Sequence, residues 1–496
     1  MLHNSFRKTL ISPNTSEMQL IRLLAILISV FACQDISSQH AILMGKAPQF
    51  SGEYLVIRKI SNPVTGHATI LDTLHVGADG TFHHQLACQD PQWFFINTGI
   101  FRITMFVTPG KGYEITLPPK TEKTENNIRN PFFKPLVAHI QVAREFTTGA
   151  PETSISGSDI NSRLFRFDTL ISSTNRQMIE ARRLHRSFNS DSVIHAIEQG
   201  YQQDTSTYFK EYRRFRYGIL KINSRDVGLA YLMENFLSTE IPLTGNPAYM
   251  ELFGEMYAEF LFYFSRTDEG KCISRIINRT QDLAALKDTM MKHPAVPDRK
   301  IAELIVLKEI FEIYSKDYFY GEALLMLLDT VIRNPEVPEF ATYARGIKEY
   351  LTRLKIGGRP PEFSLVDQDN TVRTLDDFRG KYVYLNFCTP DNYSCLKEFP
   401  FMKAIYEVHS DYLEVVTIMV TEEPATMKDF MERNGYNWTS LFYGNDEELL
   451  QNYNVRAFPA GFLLDREGIL VQSPAALATE GLEMQLFRIM RSRGDL

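Results

Sequence analysis

Two cysteines in the last third of the chain, Cys388 and Cys395, are the side chains best suited to covalent chemistry. Gly380-Lys381-Tyr382-Val383-Tyr384-Leu385-Asn386-Phe387 reads as an apolar-rich strand running into Cys388, and after a short loop Cys395-Leu396-Lys397-Glu398-Phe399-Pro400 opens a helix. A thiol at the start of a helix meets free backbone N–H groups and the positive end of the dipole, which stabilise a thiolate. Apolar burial works against that by raising the thiol pKa. From the strand end, Cys388 points toward the first turn of the helix, and a bridge to Cys395 requires Cα atoms within about 7 Å. The loop Thr389-Pro390-Asp391-Asn392-Tyr393-Ser394 leaves two readings open: a functional pair, or two separate core cysteines. Asn392 is a favoured N-cap residue, able to accept bonds from N–H groups that the first turn leaves free.

Other chemistries find little support. The five cysteines also include Cys33, Cys88 and Cys272, too few in so long a chain for a disulfide scaffold. No Cys-x-x-Cys or His-x-x-x-His pair recurs, and His83 and His84 sit in a strand-like stretch that sends neighbours to opposite faces. No metal and no cofactor are expected. No Ser/His/Asp set, Gly-rich phosphate loop or catalytically spaced carboxylate pair stands out. A formal charge of −7 argues against a nucleic-acid partner, which needs a basic face. The one basic stretch, Lys210-Glu211-Tyr212-Arg213-Arg214-Phe215-Arg216-Tyr217, reads as a solvated amphipathic helix face.

The 496 residues exceed one hydrophobic core, so two or three domains are expected, and 44% hydrophobic with 23% charged residues is ordinary globular composition. Residues 1–39 read as an export signal: Arg7 and Lys8, or Arg22 alone if translation begins at Met18, precede the apolar run Leu23–Ala32, which is short for a bilayer span. Cleavage near Ser38-Gln39 is expected, and a lipid on Cys33 is the competing outcome, because Val30-Phe31-Ala32-Cys33 resembles a bacterial lipobox. Either outcome implies the periplasm or cell envelope. From 40 to 125, short alternating runs such as Glu53-Tyr54-Leu55-Val56-Ile57-Arg58 and Trp93-Phe94-Phe95-Ile96 are separated by turn signals, which predicts a β-sandwich. From 130 to 355 the period becomes helical: Leu164, Phe167, Ile171 and Met178 share a face, and Ile301–Leu307 continues into Ile310, Phe311 and Tyr314. Phe260-Leu261-Phe262-Tyr263-Phe264 reads as helix-bundle core. Ile356-Gly357-Gly358-Arg359-Pro360-Pro361 breaks that helical region and begins the last domain, 356–496.

Within that domain, Pro361-Glu362-Phe363-Ser364-Leu365 and Leu375-Asp376-Asp377-Phe378-Arg379-Gly380-Lys381 closely resemble the opening of the exported TlpA/ResA and AhpC/TSA-like branch of thioredoxin-like proteins. Val455-Arg456-Ala457-Phe458-Pro459-Ala460 matches the cis-proline segment of that family, and the opening β region resembles the first domain of its Bacteroidetes-type members. The resemblance implies a multidomain chain with an N-terminal β-sandwich, an α-helical middle domain and a C-terminal α/β thioredoxin-like fold. It implies that Cys395 is the second, resolving cysteine of a Cys-x-x-Cys motif whose attacking cysteine is replaced by Asn392, and that Asp391 and Cys388 stand at positions usually held by Trp. It also implies that Phe458 and Pro459 dock an extended substrate peptide, that Pro400 is the proline inside the motif helix, and that Glu398 is the acidic residue common in the exported branch. The spacing it implies between positions 388 and 395 is wider than a bridge. An amide cannot attack a disulfide, so the ordinary two-thiol cycle is excluded as written. Two functions then compete: a thiol-disulfide oxidoreductase working through Cys395 with Cys388 or a partner thiol, and a redox-inactive module that holds an extended peptide or envelope protein at the cis-proline surface. A peroxidase reading fails, because Thr389-Pro390 lacks the cysteine at the required spacing.

Overall fold

The computed structural model describes residues 40–148, 159–225, 227–444 and 446–495, so the expected export signal and Cys33 lie outside the described residues. The chain divides into two compact units.

The first unit comprises the described parts of Met1–Ile60, Ala68–Lys120 and Val137–Glu180. It is built on nine strands: β1 (His40–Lys46), β2 (Tyr54–Asn62), β3 (His67–His75), β4 (Thr81–Ala87), β5 (Gln92–Thr98), β6 (Phe101–Val107), β7 (Lys111–Thr116), β8 (Leu136–His139) and β9 (Gln141–Thr147). They form a four-stranded sheet in the order β4-β1-β7-β9 and a five-stranded sheet in the order β3-β2-β5-β6-β8. Alternation along the strands sends Ala41, Leu43, Phe82 and Leu86 of one sheet, and Ile57, Ile96, Ile103 and Met105 of the other, into a single core. The β region therefore runs past the expected boundary at residue 125. β8 and β9 pair with β6 and β7, whose edges would otherwise expose unpaired backbone groups. Helix Ile160–Arg183 follows and buries Leu164, Phe167, Ile171 and Met178. Asn161 near its start exchanges two hydrogen bonds with the backbone of Phe106, at 2.8 and 2.9 Å.

The second unit comprises Ser61–His67, Thr121–Leu136 and Ala181–Leu496. Its helices between Ser190 and Thr352 include Arg299–Ile313, which is buried nearly all round. Glu303 and Glu309 within it are held by Lys287 Nζ at 2.6 Å and by the Leu261 N–H at 3.0 Å. Phe260, Leu261 and Phe264 are core residues of their short helix. The basic stretch 210–217 is not the solvated face that its charges suggest. Arg213 is only 2% exposed, because its guanidinium pairs with Glu198 through two hydrogen bonds and lies over the Phe209 and Tyr201 rings.

The last part of this unit contains the hairpin β10 (Ser364–Val366) and β11 (Val372–Thr374), and strands β12 (Tyr382–Cys388), β13 (Leu413–Met419), β14 (Thr439–Phe442), β15 (Ala460–Leu464) and β16 (Leu470–Gln472). The sheet order is β14-β13-β12-β15-β16, with β12, β13 and β14 parallel, β15 antiparallel to β12, and β16 antiparallel to β15. Every residue of the central strand β12 is buried, and its pleat divides it between two cores. Val383, Leu385 and Phe387 enter one core with Leu449, Leu450 and Tyr453. Tyr382, Tyr384 and Cys388 enter the other, with Cys395, Phe399 and Met402 of helix Tyr393–His409 and with Leu486 and Met490 of helix Leu482–Arg493.

Candidate functional site

The site forms where β12 ends and helix Tyr393–His409 begins. Asn386 anchors the end of β12 by donating to Thr417 Oγ1 on β13 at 3.0 Å. The chain then turns through Thr389–Asn392 into the helix. Asn392 has extended backbone angles, and its Oδ1 accepts the N–H of Ser394 at 2.8 Å and of Cys395 at 3.2 Å. The amide therefore occupies the donors that a thiolate or a substrate anion would use at a helix tip. Pro400 lies inside this helix on its exposed side, where the carbonyl that its missing N–H leaves free can meet water.

Cys388 and Cys395 are both fully buried free thiols. Neither takes part in a disulfide. Both side chains face the same core, one from the strand end and one from the first helical turn. The Thr389 N–H also donates to Cys395 Sγ, at 3.4 Å. The neighbouring Cys388 thiol, helped by that N–H, outweighs burial and lowers the Cys395 pKa, whereas burial drives the Cys388 pKa well up.

Glu398 is also buried, and its carboxylate accepts the N–H of Thr479 at 3.1 Å and the Thr479 hydroxyl. The peptide bond Phe458–Pro459 is cis, and both residues are half-buried where β15 starts. Tyr393 is 72% exposed beside the helix tip, with Lys397 Nζ 4.4 Å from its ring centre. Asp391 forms an ion pair with Arg129. Thr389, Thr479 and Arg129 are contributors that motif reading missed. Thr389 adjoins the motif and acts through its backbone, which residue type does not disclose, and Thr479 lies 81 residues from Glu398, so only folding joins them.

The AhpC/TSA family model matches residues 356–473, the segment that carries this site. The thiol-disulfide oxidoreductase ResA of Bacillus subtilis is 33% identical over 131 residues, covering 25% of this chain and 70% of the relative. ResA of Geobacillus kaustophilus is 31% identical over 126 residues, covering 24% of this chain and 70% of the relative. Among solved structures, the thioredoxin domain of a thiol-disulfide oxidoreductase from Bacteroides vulgatus is 22% identical, covering 27% of this chain and 98% of that one, with a TM-score of 0.26.

Proposed function

Through its C-terminal domain this chain belongs to the thioredoxin-like AhpC/TSA family that includes the ResA thiol-disulfide oxidoreductases, and on that footing we propose that it is an exported docking module that has lost the ordinary two-thiol exchange. The observation that carries the reading is Asn392. It stands at the position of the attacking cysteine, and its Oδ1 closes the helix tip by accepting the Ser394 and Cys395 N–H groups. Thiol-disulfide exchange begins with an accessible thiolate, and an amide cannot supply one. The surface that survives is the half-buried cis-proline segment Phe458-Pro459, and the ligand class it suits is an extended peptide of an envelope protein. Export rests on the apolar run Leu23–Ala32 behind Arg22, with cleavage near Ser38-Gln39 preferred over a lipid on Cys33. Among the described residues no helix is long and apolar enough to cross a membrane. The β-sandwich and helical parts serve partner selection or assembly in this reading.

The test is insulin-disulfide reduction by the full chain, alongside fluorescence-polarisation binding of reduced, carboxymethylated insulin B chain. The wild type is expected to bind the peptide without turnover, Phe458→Asp to lose the binding, and Asn392→Cys to gain reductase activity. Wild-type turnover matching that of Asn392→Cys would overturn the proposal.

A further inference from the structure

Residues 121–136, between β7 and β8, belong with the second unit and touch the thioredoxin-like domain at two points. Thr124 caps the single helical turn Glu125–Ile128 by accepting the Asn127 N–H at 3.3 Å. Asn130 then accepts the Phe132 N–H at 3.0 Å and turns the chain. Ile128 and Arg129 stand between these two side-chain caps. Among the described residues 121–136, Ile128 is the one that is buried, and it enters the core on which Phe458 and Ala460 of the cis-proline segment pack. Arg129 pairs with Asp391, the residue just before the helix cap Asn392. One apolar anchor and one ion pair thus hold a segment whose other residues face solvent wholly or in part. The paired side chains are 31% and 40% exposed, and a pair so open to water is worth little, so the contact is releasable. Glu125 pairs with the same guanidinium, so Arg129 keeps a carboxylate partner on release and Asp391 is the group left open to a ligand.

We propose that this segment is a built-in occupant of the docking surface, and that the external ligand displacing it is a peptide in which an apolar residue is followed by a basic one. The inference rests on the docking function proposed above and specifies the ligand class of that surface. The apolar side chain takes the place of Ile128, and its removal from water supplies affinity. The cation takes the place of Arg129 at Asp391 and supplies the choice among peptides. An acidic residue in that second place meets the Asp391 carboxylate and is rejected. The wild type binds with an affinity reduced by the fraction of chains whose own segment is in place.

The test is fluorescence-polarisation binding of a fluorescein-labelled peptide copying residues 124–133 to the full chain. The Arg129→Ala chain is expected to bind it about 2- to 5-fold more tightly than the wild type, the factor that loss of one exposed ion pair allows. Ile128→Ala is expected to bind it about tenfold more tightly, or more. To the Arg129→Ala chain, a peptide carrying Arg129→Glu is expected to bind several-fold more weakly than the unaltered peptide, and the Asp391→Lys chain is expected to reverse that order. Equal affinity of the wild type and Arg129→Ala would overturn the proposal, and so would an unreversed order in Asp391→Lys. Circular dichroism verifies folding, and the changes at 129 and 391 alter partly exposed side chains, so they decide the matter even if Ile128→Ala fails to fold. If these variants change nothing while Phe458→Asp still abolishes binding of carboxymethylated insulin B chain, this inference falls and the docking function stands. If neither peptide binds any form of the chain, both fall.

Discussion

The side-chain oxygen of Asn392 accepts the backbone N–H of Cys395 at 3.2 Å, so Asn392 caps the helix that bears this buried thiol. The second bond of the same oxygen, to Ser394 at 2.8 Å, completes a two-donor cap. Replacing an N-cap Asn by Ala typically costs about 1 kcal/mol, whereas Asp is an equivalent cap. Asn392→Ala is therefore expected to weaken the first turn, and Asn392→Asp to preserve it. Hydrogen exchange at the Ser394 and Cys395 amides measures this directly, and unchanged protection in Asn392→Ala would refute the capping role.

Gly461 on β15 pairs with Asn386 on β12, and the Tyr384 ring occupies the space where its side chain would be. A Cβ at 461 would lie 2.7 Å from Tyr384 Oη and 2.9 Å from its Cε2. Tyr384 is itself buried and has no free volume to move into. Gly461→Ala is expected to destabilise the domain by about 1–3 kcal/mol through overpacking. Urea unfolding followed by Trp438 fluorescence in a Trp93→Phe background gives the value, since the chain has 2 tryptophans.

Asp367 supplies a pH-dependent increment. Burial pushes its pKa up, but the Arg373 guanidinium at 2.8 Å and the N–H groups of Thr371 and Asp369 more than offset that, leaving it below the usual carboxylate value. A depressed folded pKa means that the stabilisation is present above the unfolded value of about 3.9 and is lost as pH falls through the lower folded value. Asp367→Asn should lower stability near neutrality and flatten the acid limb of the urea-midpoint profile. A variant whose acid limb is as steep as that of the wild type would contradict this assignment.

Glu198 accepts two hydrogen bonds from the buried Arg213 and a third from the Tyr217 hydroxyl at 2.8 Å. Removing it strands a guanidinium that is 2% exposed. Glu198→Ala is expected to cost roughly 2–3 kcal/mol, toward the low end for a broken buried pair because Glu198 itself is partly solvated. The double variant Arg213→Met/Glu198→Leu should recover much of that loss. Differential scanning calorimetry of the two variants separates these outcomes.

Much of the architecture was legible because it is written in local periodicity. Leu164, Phe167, Ile171 and Met178 mark the buried face of a helix by spacing alone, and all four are buried there together with Ile160, Asn161 and Thr174. The alternating strand runs through Tyr54–Ile57 and Trp93–Ile96, which lie within β2 and β5, were legible in the same way. The buried state of Arg213 was not, because charge is a guide to solvation only until a partner such as Glu198, on another helix, removes the need for water. β8 and β9 escaped notice for a related reason. β8 has only 4 residues, and the partners β6 and β7 precede β8 and β9 in the chain by stretches with no pairing signal of their own.

At the site the division is sharp. The residue types alone determined that position 392 carries an amide, that amides cap helices and cannot attack disulfides, and that sulfur remains at 388 and 395. Only the tertiary structure decided that those two sulfurs enter one core, that Thr389 supplies its backbone N–H to one of them, and that Thr479 holds Glu398. The physical reason is that capping depends on a few consecutive residues. The direction in which a side chain leaves a strand end, and how near it comes to the next helix, depends on how β12 is seated between β13 and β15.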